Sequence, residues 1–243
     1  MVDASKLDEL VVVLVRPRNP LNIGAVARAM SNFGVRRLRV VNPYEVAFRD
    51  ARSAVGAAEL LSNAEEFSNV AEAIADCGLI VGTTAVHRRV LQNPLRRLDE
   101  DGGRVIREEL SSGRVALLFG SEKVGLSTAD FTHCHWLLHV PTAQDHISMN
   151  LGQAVAVCLY EIARSVNGER PAEEMQRASA GEVELITSIL LDALRVSGYV
   201  KPGTEMVMEE KARRLVRRMN LQSGEATVWL GMLRQIAWKL GIK

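Results

Sequence analysis

A length of 243 residues allows one sizeable domain with a small appendage. Hydrophobic residues make up 47% and charged residues 24% of the chain, as in soluble globular proteins, and no apolar run reaches the roughly 18 residues of a membrane-spanning helix. The net charge of +1 alone gives no reason to expect a nucleic-acid partner, and three scattered cysteines argue against a disulfide framework. The N-terminal segment lacks the pattern of a signal peptide, so a cytoplasmic protein is expected.

Short β-branched runs alternate with helical patterns through the first two thirds of the chain. The predicted strands are 10–15, 37–41, 79–83, 115–119 and 136–140, and the predicted helices are 22–33, 54–61, 70–76 and 151–164. Strands that alternate with helices are typical of an α/β fold with a three-layer, mainly parallel sheet. Ligands bind such sheets at the carboxyl ends of the strands.

A change of character after residue 167 predicts a second unit. Residues 182–197, 205–219 and 225–240 show helical patterns, and this part has no strand signal. We therefore predict one α/β domain at 1–167 and a small all-α C-terminal extension at 168–243.

Several common site motifs are missing from the sequence. Neither a G-x-x-x-x-G-K-[ST] phosphate loop nor a G-x-G-x-x-G turn after the first strand is present. His133, His135 and His139 would share a face of a strand, but no second ligand cluster with metal spacing accompanies them. The sequence therefore gives no support for a nucleotide phosphate site or a metal site.

Three polar stretches follow predicted strands, where packing alone would not require polar residues. The first contains Asn22 and Arg28, the second Glu122, and the third Ser148 and Asn150. A purely structural account is open for each position: Asn22 and Ser148 could be helix N-caps, Arg28 a solvated residue and Glu122 a carboxylate on a helix dipole. Because all three stretches leave the carboxyl ends of strands, together they favour one shared site.

The same stretches carry a family resemblance. The order N-x-G-x-x-A-R-x-x-x-x-F-G, F-G-S-E-x-x-G-L and V-P…S-x-N-L-x-x-A-V over residues 9–165 resembles the SpoU/TrmH branch of the SPOUT superfamily, ribose 2′-O-methyltransferases. The helical tail, above all 185–215, is similar to that of TrmJ-type tRNA methyltransferases. Ser121 departs from that type, in which a basic residue commonly precedes the glutamate.

The resemblance implies a C-terminal trefoil knot, a homodimer, and S-adenosylmethionine as methyl donor without a metal. It places the donor on backbone-rich loops that comprise Thr83, Thr84, Ala85, Gly120, Val140, Ile147, Ser148 and Met149. It implies catalytic roles for Arg28, Asn22, Glu122, Ser148 and Asn150, with Arg28 as base or as orienting group. The implied substrate is RNA, foremost a pyrimidine at position 32 of the tRNA anticodon loop; ribosomal RNA and a catalytically silent RNA-binding module are the alternatives.

Arginine pairs offer a possible RNA contact in the tail. Guanidinium groups suit phosphate because they stay charged and can bind two oxygens. Helical spacing places Arg214, Arg217 and Arg218 on one face of the predicted helix 205–219, with Ala212, Leu215 and Met219 able to pack inward. This face is either a phosphate-binding strip or a solvated surface that pairs with nearby glutamates.

Overall fold

A computed structural model describes residues 4–44, 48, 58–85, 91–143, 148–164 and 176–242. Within these ranges the strands are β1 (Leu10–Val15), β2 (Arg37–Val41), β3 (Glu65–Phe67), β4 (Leu79–Thr84), β5 (Leu95–Arg97), β6 (Val115–Phe119) and β7 (Trp136–His139). They form one sheet in the order β3-β2-β1-β6-β4-β7-β5, and every pair of neighbours is parallel. The predicted parallel α/β sheet is confirmed.

Helices cover both faces of the sheet. They are α1 (Ala4–Leu7), α2 (Pro20–Asn32), α3 (Ala58–Ser62), α4 (Val70–Ala73), α5 (Gly103–Glu109, preceded by a π-helical turn Leu98–Gly102), α6 (Thr128–Thr132), α7 (Leu151–Ala163), α8 (Ala180–Val196), α9 (Glu205–Arg218) and α10 (Ser223–Lys239). Helices α2, α5 and α7 pack on one face, and α4, α6 and the start of α8 pack on the other.

Strand β1 is apolar throughout because it is buried on both faces of the sheet. Leu10, Val12 and Leu14 belong to the core on one face of the sheet, while the alternate valines belong to the core on the other face. Side chains alternate along a strand, so a central strand covered on both faces needs apolar residues at every position. The run LVVVLV is therefore the sequence signature of the sheet centre.

The helix boundaries correct two structural interpretations from the sequence. Helix α2 begins at Pro20 after the N-cap Asn19, whose side chain accepts from the backbone amide of Leu21, so Asn22 is not the cap. Helix α7 is capped by Asn150, which accepts from the backbone amides of Gly152 and Gln153, so Ser148 is not the cap either. Asn22 is thereby free for another role.

Several boundaries differ by a few residues from those predicted, and two short strands were not predicted. Strands β3 and β5 were not predicted, and β7 ends one residue early, at His139. Helix α4 ends at Ala73, and part of the predicted helix 54–61 lies outside the described residues. Gly34, just after the end of α2, has a φ of +73°, which is the left-handed conformation of a helix C-terminus.

The described part of the tail, residues 176–242, contains the three predicted helices, which share a small core of their own. It also contacts the α/β domain: the backbone amide of Ala180 donates to the carbonyl of Cys77, and α9 packs against α6. The predicted inward face of α9 is wrong in part. Ala212 is buried, but Leu215 and Met219 are exposed, while the whole side chain of Arg217 is buried.

The three cysteines, Cys77, Cys134 and Cys158, are buried and make no disulfide, as the sequence predicted. Within the described ranges, no helix combines the length and the apolarity needed to cross a membrane.

Candidate active site

A cavity of about 780 Å³ opens at the carboxyl ends of β4, β6 and β7. That volume lies in the range of roughly 300–1,000 Å³ that small-molecule sites occupy. The end of β4 contributes Thr83, Thr84 and Ala85, and the loop after β6 contributes residues 120–126. Residues 148–151, at the start of α7, complete the described wall. The site thus lies where ligands bind in parallel α/β sheets.

The loop after β6 has a tightly folded backbone. The amide of Gly125 donates to the carbonyl of Ser121 at 2.8 Å, and Gly125 has a φ of +68° that favours glycine. A Cβ added to Gly120 would lie 2.0 Å from the carbonyl carbon of Gly125 and 2.1 Å from the amide nitrogen of Leu126. Only glycine fits at position 120, so the backbone itself forms this part of the wall.

A chain of hydrogen bonds joins the three polar stretches at the rim of this cavity. The side-chain amide of Asn150 donates to Oδ1 of Asn22 at 2.8 Å, and Nδ2 of Asn22 donates to the Glu122 carboxylate at 3.0 Å. The same carboxylate accepts from the backbone amides of Arg18 and Asn19, each at 3.1 Å. The structure therefore brings residues from the loops after β1, β6 and β7 into one connected group.

The hydrogen bonds to Glu122 outweigh its partial burial. Burial raises the pKa of Glu122, but bonds from its own backbone amide, from Asn22 and from the amides of Arg18 and Asn19 leave the pKa lowered. The group is therefore ionised at neutral pH. Apart from its own amide, its donors are Arg18, Asn19 and Asn22, so the carboxylate anchors the start of α2 beside the cavity.

The end of β4 is also held by its neighbours in the sheet. Thr83 Oγ1 donates to the carbonyl of Leu118 in β6 at 2.9 Å. On the other side, Nδ1 of His139 lies 3.3 Å from the carbonyl of Thr84. These contacts fix the strand from which the predicted donor loop departs.

Most of the residues predicted for the site line this cavity. They are Asn22, Thr83, Thr84, Ala85, Gly120, Glu122, Val140, Ser148, Met149 and Asn150. Arg28 does not line it; this side chain is exposed on α2. Ile147 lies outside the described residues. The roles of all these residues remain predictions.

Several residues that line the cavity were not predicted from the sequence. Lys123 stands next to Glu122 inside the second motif, and that adjacency was the available signal. Apolar positions such as Leu126, Leu138 and Leu151 carry no signal of their own, because a core strand or helix requires the same residues.

The three histidines of the rejected metal site lie apart. His133 ends α6, whereas His135 is buried with its Nδ1 accepting from the backbone amide of Ile80 at 3.0 Å. His139 is at the end of β7 beside Thr84. Among the residues that the structure describes, no group of three or more histidine, cysteine, aspartate or glutamate side chains could hold a metal ion.

These features define a class: an α/β protein with a cavity of small-molecule size at the carboxyl edge of its sheet and polar side chains beside it. The sequence model of the SpoU rRNA methylase family matches residues 9–160. The chain belongs to this family, which confirms the resemblance to the SpoU/TrmH branch and the prediction of a methyltransferase.

Relatives match nearly the whole chain, including the tail. The tRNA (cytidine/uridine-2′-O-)-methyltransferase TrmJ of Sodalis glossinidius (strain morsitans) is 33% identical over 95% of this chain and 92% of its own. The crystal structure of TrmJ from Z. mobilis ZM4 is 32% identical with a TM-score of 0.80, covering 93% of this chain and 98% of that one. A complex of the SpoU methyltransferase AviRb from Streptomyces viridochromogenes with the cofactor AdoMet is 25% identical with a TM-score of 0.51, covering 70% of this chain and 64% of that one.

Proposed function

We propose that this protein transfers the methyl group of S-adenosylmethionine to the 2′-hydroxyl of a pyrimidine ribose at position 32 of the tRNA anticodon loop. The observation that carries the proposal is the hydrogen-bonded group of Asn150, Asn22 and Glu122 beside the cavity. A small-molecule pocket with a polar rim suits a reaction between a buried donor and an outer hydroxyl. The choice of tRNA is supported by relatives named tRNA (cytidine/uridine-2′-O-)-methyltransferase that match the tail as well as the domain.

The described residues fit S-adenosylmethionine. The cavity combines apolar walls, such as Leu138 and Val140, with exposed backbone around Gly120 and hydroxyls at Thr83 and Thr84. An adenosine with a methionine arm needs both kinds of surface, and a glycine backbone allows close approach. When bound, the donor supplies an electrophilic methyl group on a sulfonium. Residues 83–85, Gly120, Val140 and the segment from Ile147 to Met149 would hold it.

The polar residues then serve the acceptor ribose. Asn150 and Asn22 are fixed by their mutual hydrogen bond and by Glu122, so they can hold a hydroxyl without reorganisation. Ser148 is exposed at the same rim, with a hydroxyl that can donate or accept. Because the Glu122 carboxylate is occupied by backbone and side-chain donors, it supports this group instead of taking the proton itself.

We further propose a homodimer that uses the outer surface of α2 and α7. Three apolar side chains on these helices are exposed: Leu21 at 80%, Tyr160 at 59% and Val157 at 39%. Arg28 lies seven residues after Leu21 and therefore shares its face of α2. A dimer through this face would present Arg28 to the cavity of the partner subunit, where it orients the ribose and its phosphate. We also propose that the chain forms the trefoil knot that the family resemblance implies.

The Arg28→Ala variant tests the catalytic assignment. We expect methyl transfer to fall by more than about tenfold, a loss above roughly 1.4 kcal/mol, while donor binding stays within about twofold of wild type. Turnover on tRNA and calorimetric titration with S-adenosylmethionine give the two values. A variant that keeps more than a tenth of the turnover contradicts the role.

Mapping ribose methylation in total RNA from cells with and without the gene tests the substrate. Loss of one mark at nucleotide 32 of tRNAs is the expected result. Loss of a ribosomal RNA mark instead would establish the first alternative, and an unchanged map together with an inactive purified protein would establish a silent RNA-binding module. Light scattering that gives a mass near 26.7 kDa for the active protein would contradict the dimer.

A further inference from the structure

We propose that Lys123 and Arg18 form a clamp for the RNA backbone phosphate on the 3′ side of the methylated ribose. The inference rests on the proposed function and adds the group that positions the acceptor strand. A 2′-hydroxyl lies next to the 3′ phosphate of its own nucleotide, so any site that holds the hydroxyl also faces that negative charge. The clamp supplies the matching positive charge.

The charges around the cavity leave Lys123 available. Among the described residues that line the cavity, the charged ones are Glu122 and Lys123. The Glu122 carboxylate is turned toward Asn22 and the amides of the loop before α2, so its hydrogen bonds go to that loop. Lys123 is exposed and makes no ion pair with another described residue. Its positive charge is therefore not used within the described fold.

The backbone holds Lys123 in one place. Ser121 and Gly125, two residues before and after Lys123, are joined by a backbone hydrogen bond, and Gly120 has no room for a side chain. Val124, the next residue, is 59% exposed, so this part of the loop lies at the mouth of the cavity. A lysine on a fixed loop loses less conformational entropy on binding than one on a mobile segment.

Arg18 provides the second arm of the clamp. Its backbone amide donates to Glu122 Oε2, so Arg18 contacts the residue that immediately precedes Lys123. The Arg18 side chain is exposed, and it makes no ion pair with another described residue. Its neighbour Arg16 differs, because its guanidinium pairs with Asp130 and is thereby committed to the fold. A guanidinium and an ammonium on long side chains that start from these neighbouring loops can reach the same phosphate.

Binding measured in a salt series tests the clamp without relying on turnover. The probe is an anticodon stem–loop from a tRNA that the wild-type protein methylates. We expect Lys123→Gln and Arg18→Gln each to weaken RNA binding by about threefold to tenfold, and each to reduce the slope of log K against log salt by about 0.7. Lys123→Arg should restore most of the affinity. Lys201→Gln, an exposed cation in the tail, is the matched control and should change neither quantity.

A modified RNA identifies the phosphate. Replacing the phosphate 3′ of the target nucleotide by an uncharged methylphosphonate should weaken binding to the wild-type protein but not to the Lys123→Gln, Arg18→Gln double variant. Equal losses for both proteins would overturn the assignment. So would a loss of S-adenosylmethionine affinity with unchanged RNA affinity, since Lys123 would then bind the donor carboxylate. If the wild-type protein methylates no RNA, the proposed function itself fails, whereas unchanged binding by an active protein's variants refutes the clamp alone.

Discussion

The Glu122 carboxylate positions the groups that hydrogen-bond to it. It accepts from two backbone amides and from Asn22, and Asn22 in turn accepts from Asn150. A group with a lowered pKa that is engaged in this way is a weak proton acceptor at neutral pH, but a firm support for neutral amides. Hydrogen bonds through Asn22 and Glu122 therefore connect the segments that follow β1, β6 and β7.

Gly120 is the residue at which the smallest change should have the largest effect. An added methyl group would overlap the backbone of Gly125 and Leu126, which cannot move away as a flexible side chain could. We expect Gly120→Ala to weaken S-adenosylmethionine binding by at least about tenfold because the loop must shift, as calorimetric titration would measure. Gly231→Ala is the control: nothing lies within 4 Å of the added atom, and alanine in a helix should raise stability by about 0.5–1 kcal/mol. Wild-type donor affinity in Gly120→Ala would show that the loop does not form the donor site.

At the scale of elements, helix α9 is docked through arginines. Arg213 pairs with Glu184 of α8 at 3.0 Å and with Glu209 at 2.8 Å. Arg214 and Arg218 donate to Gln92, which lies in the described segment after β4. Arg217 is buried, so the predicted strip of three phosphate-binding arginines on this helix cannot form in this arrangement.

Replacing Arg217 should cost little folding stability. Its Nε and Nη1 have no hydrogen-bond partner among the described residues, and its nearest carboxylate oxygen, on Glu184, is 3.9 Å away. Burial lowers the pKa of Arg217 to about 10 despite that carboxylate. We expect Arg217→Met to keep or raise the melting temperature, because a buried and poorly paired charge is costly. Arg213→Met should lose about 1–3 kcal/mol by leaving two carboxylates unpaired. Equal losses in thermal unfolding of the two variants would contradict this account.

The sequence was sufficient for the long, strongly patterned elements. Strands β1, β2 and β6 were predicted with the observed bounds. Each is a largely apolar run inside the sheet. Strands β3 and β5 have three residues each and lie at the sheet edges, where no periodicity can develop in so short a run. The sheet order depends on contacts between residues far apart in the chain, which local patterns do not contain.

The grouping of the polar site residues was also predictable from the sequence. Polar residues after strands converge when the strands are parallel, so Asn22, Glu122 and Asn150 could be grouped before their contacts were seen. Their partners could not be predicted, since the cap roles fell to Asn19 and Asn150. The inward face of α9 was assigned by hydrophobicity alone, whereas the structure buries Arg217 and pairs the partly buried Arg213 with Glu184.

For the whole molecule, the partly buried His133 and the buried His135 should make the free energy of unfolding depend on pH in the mildly acidic range. Burial lowers the pKa of His133, aided by Arg213 and Arg217, and burial likewise lowers the pKa of His135. Both are neutral in the fold but titrate near pH 6.5 once unfolded. The unfolded chain thus takes up more protons below that pH, and stability present above about pH 6.5 is lost as pH falls.

Denaturant unfolding at pH 7.5 and pH 5.0 measures this dependence. We expect each histidine to account for a loss of about 2 kcal/mol between these pH values. His133→Gln should remove a substantial part of the change and leave the part that belongs to His135. A variant with the full pH dependence of the wild-type protein would show that His133 is protonated equally in both states.

The strand order also affects how the protein folds while it is synthesised on the ribosome. The first strand, β1, lies inside the sheet, and its neighbour β6 follows about a hundred residues later in the chain. At a synthesis rate of about 5–20 residues per second, β1 waits on the order of 5–20 s for that partner. During this interval a six-residue apolar segment presents an unpaired edge to other nascent chains. Slowing translation between the two strands should therefore increase aggregation of newly made protein, whereas slowing it after β6 should not.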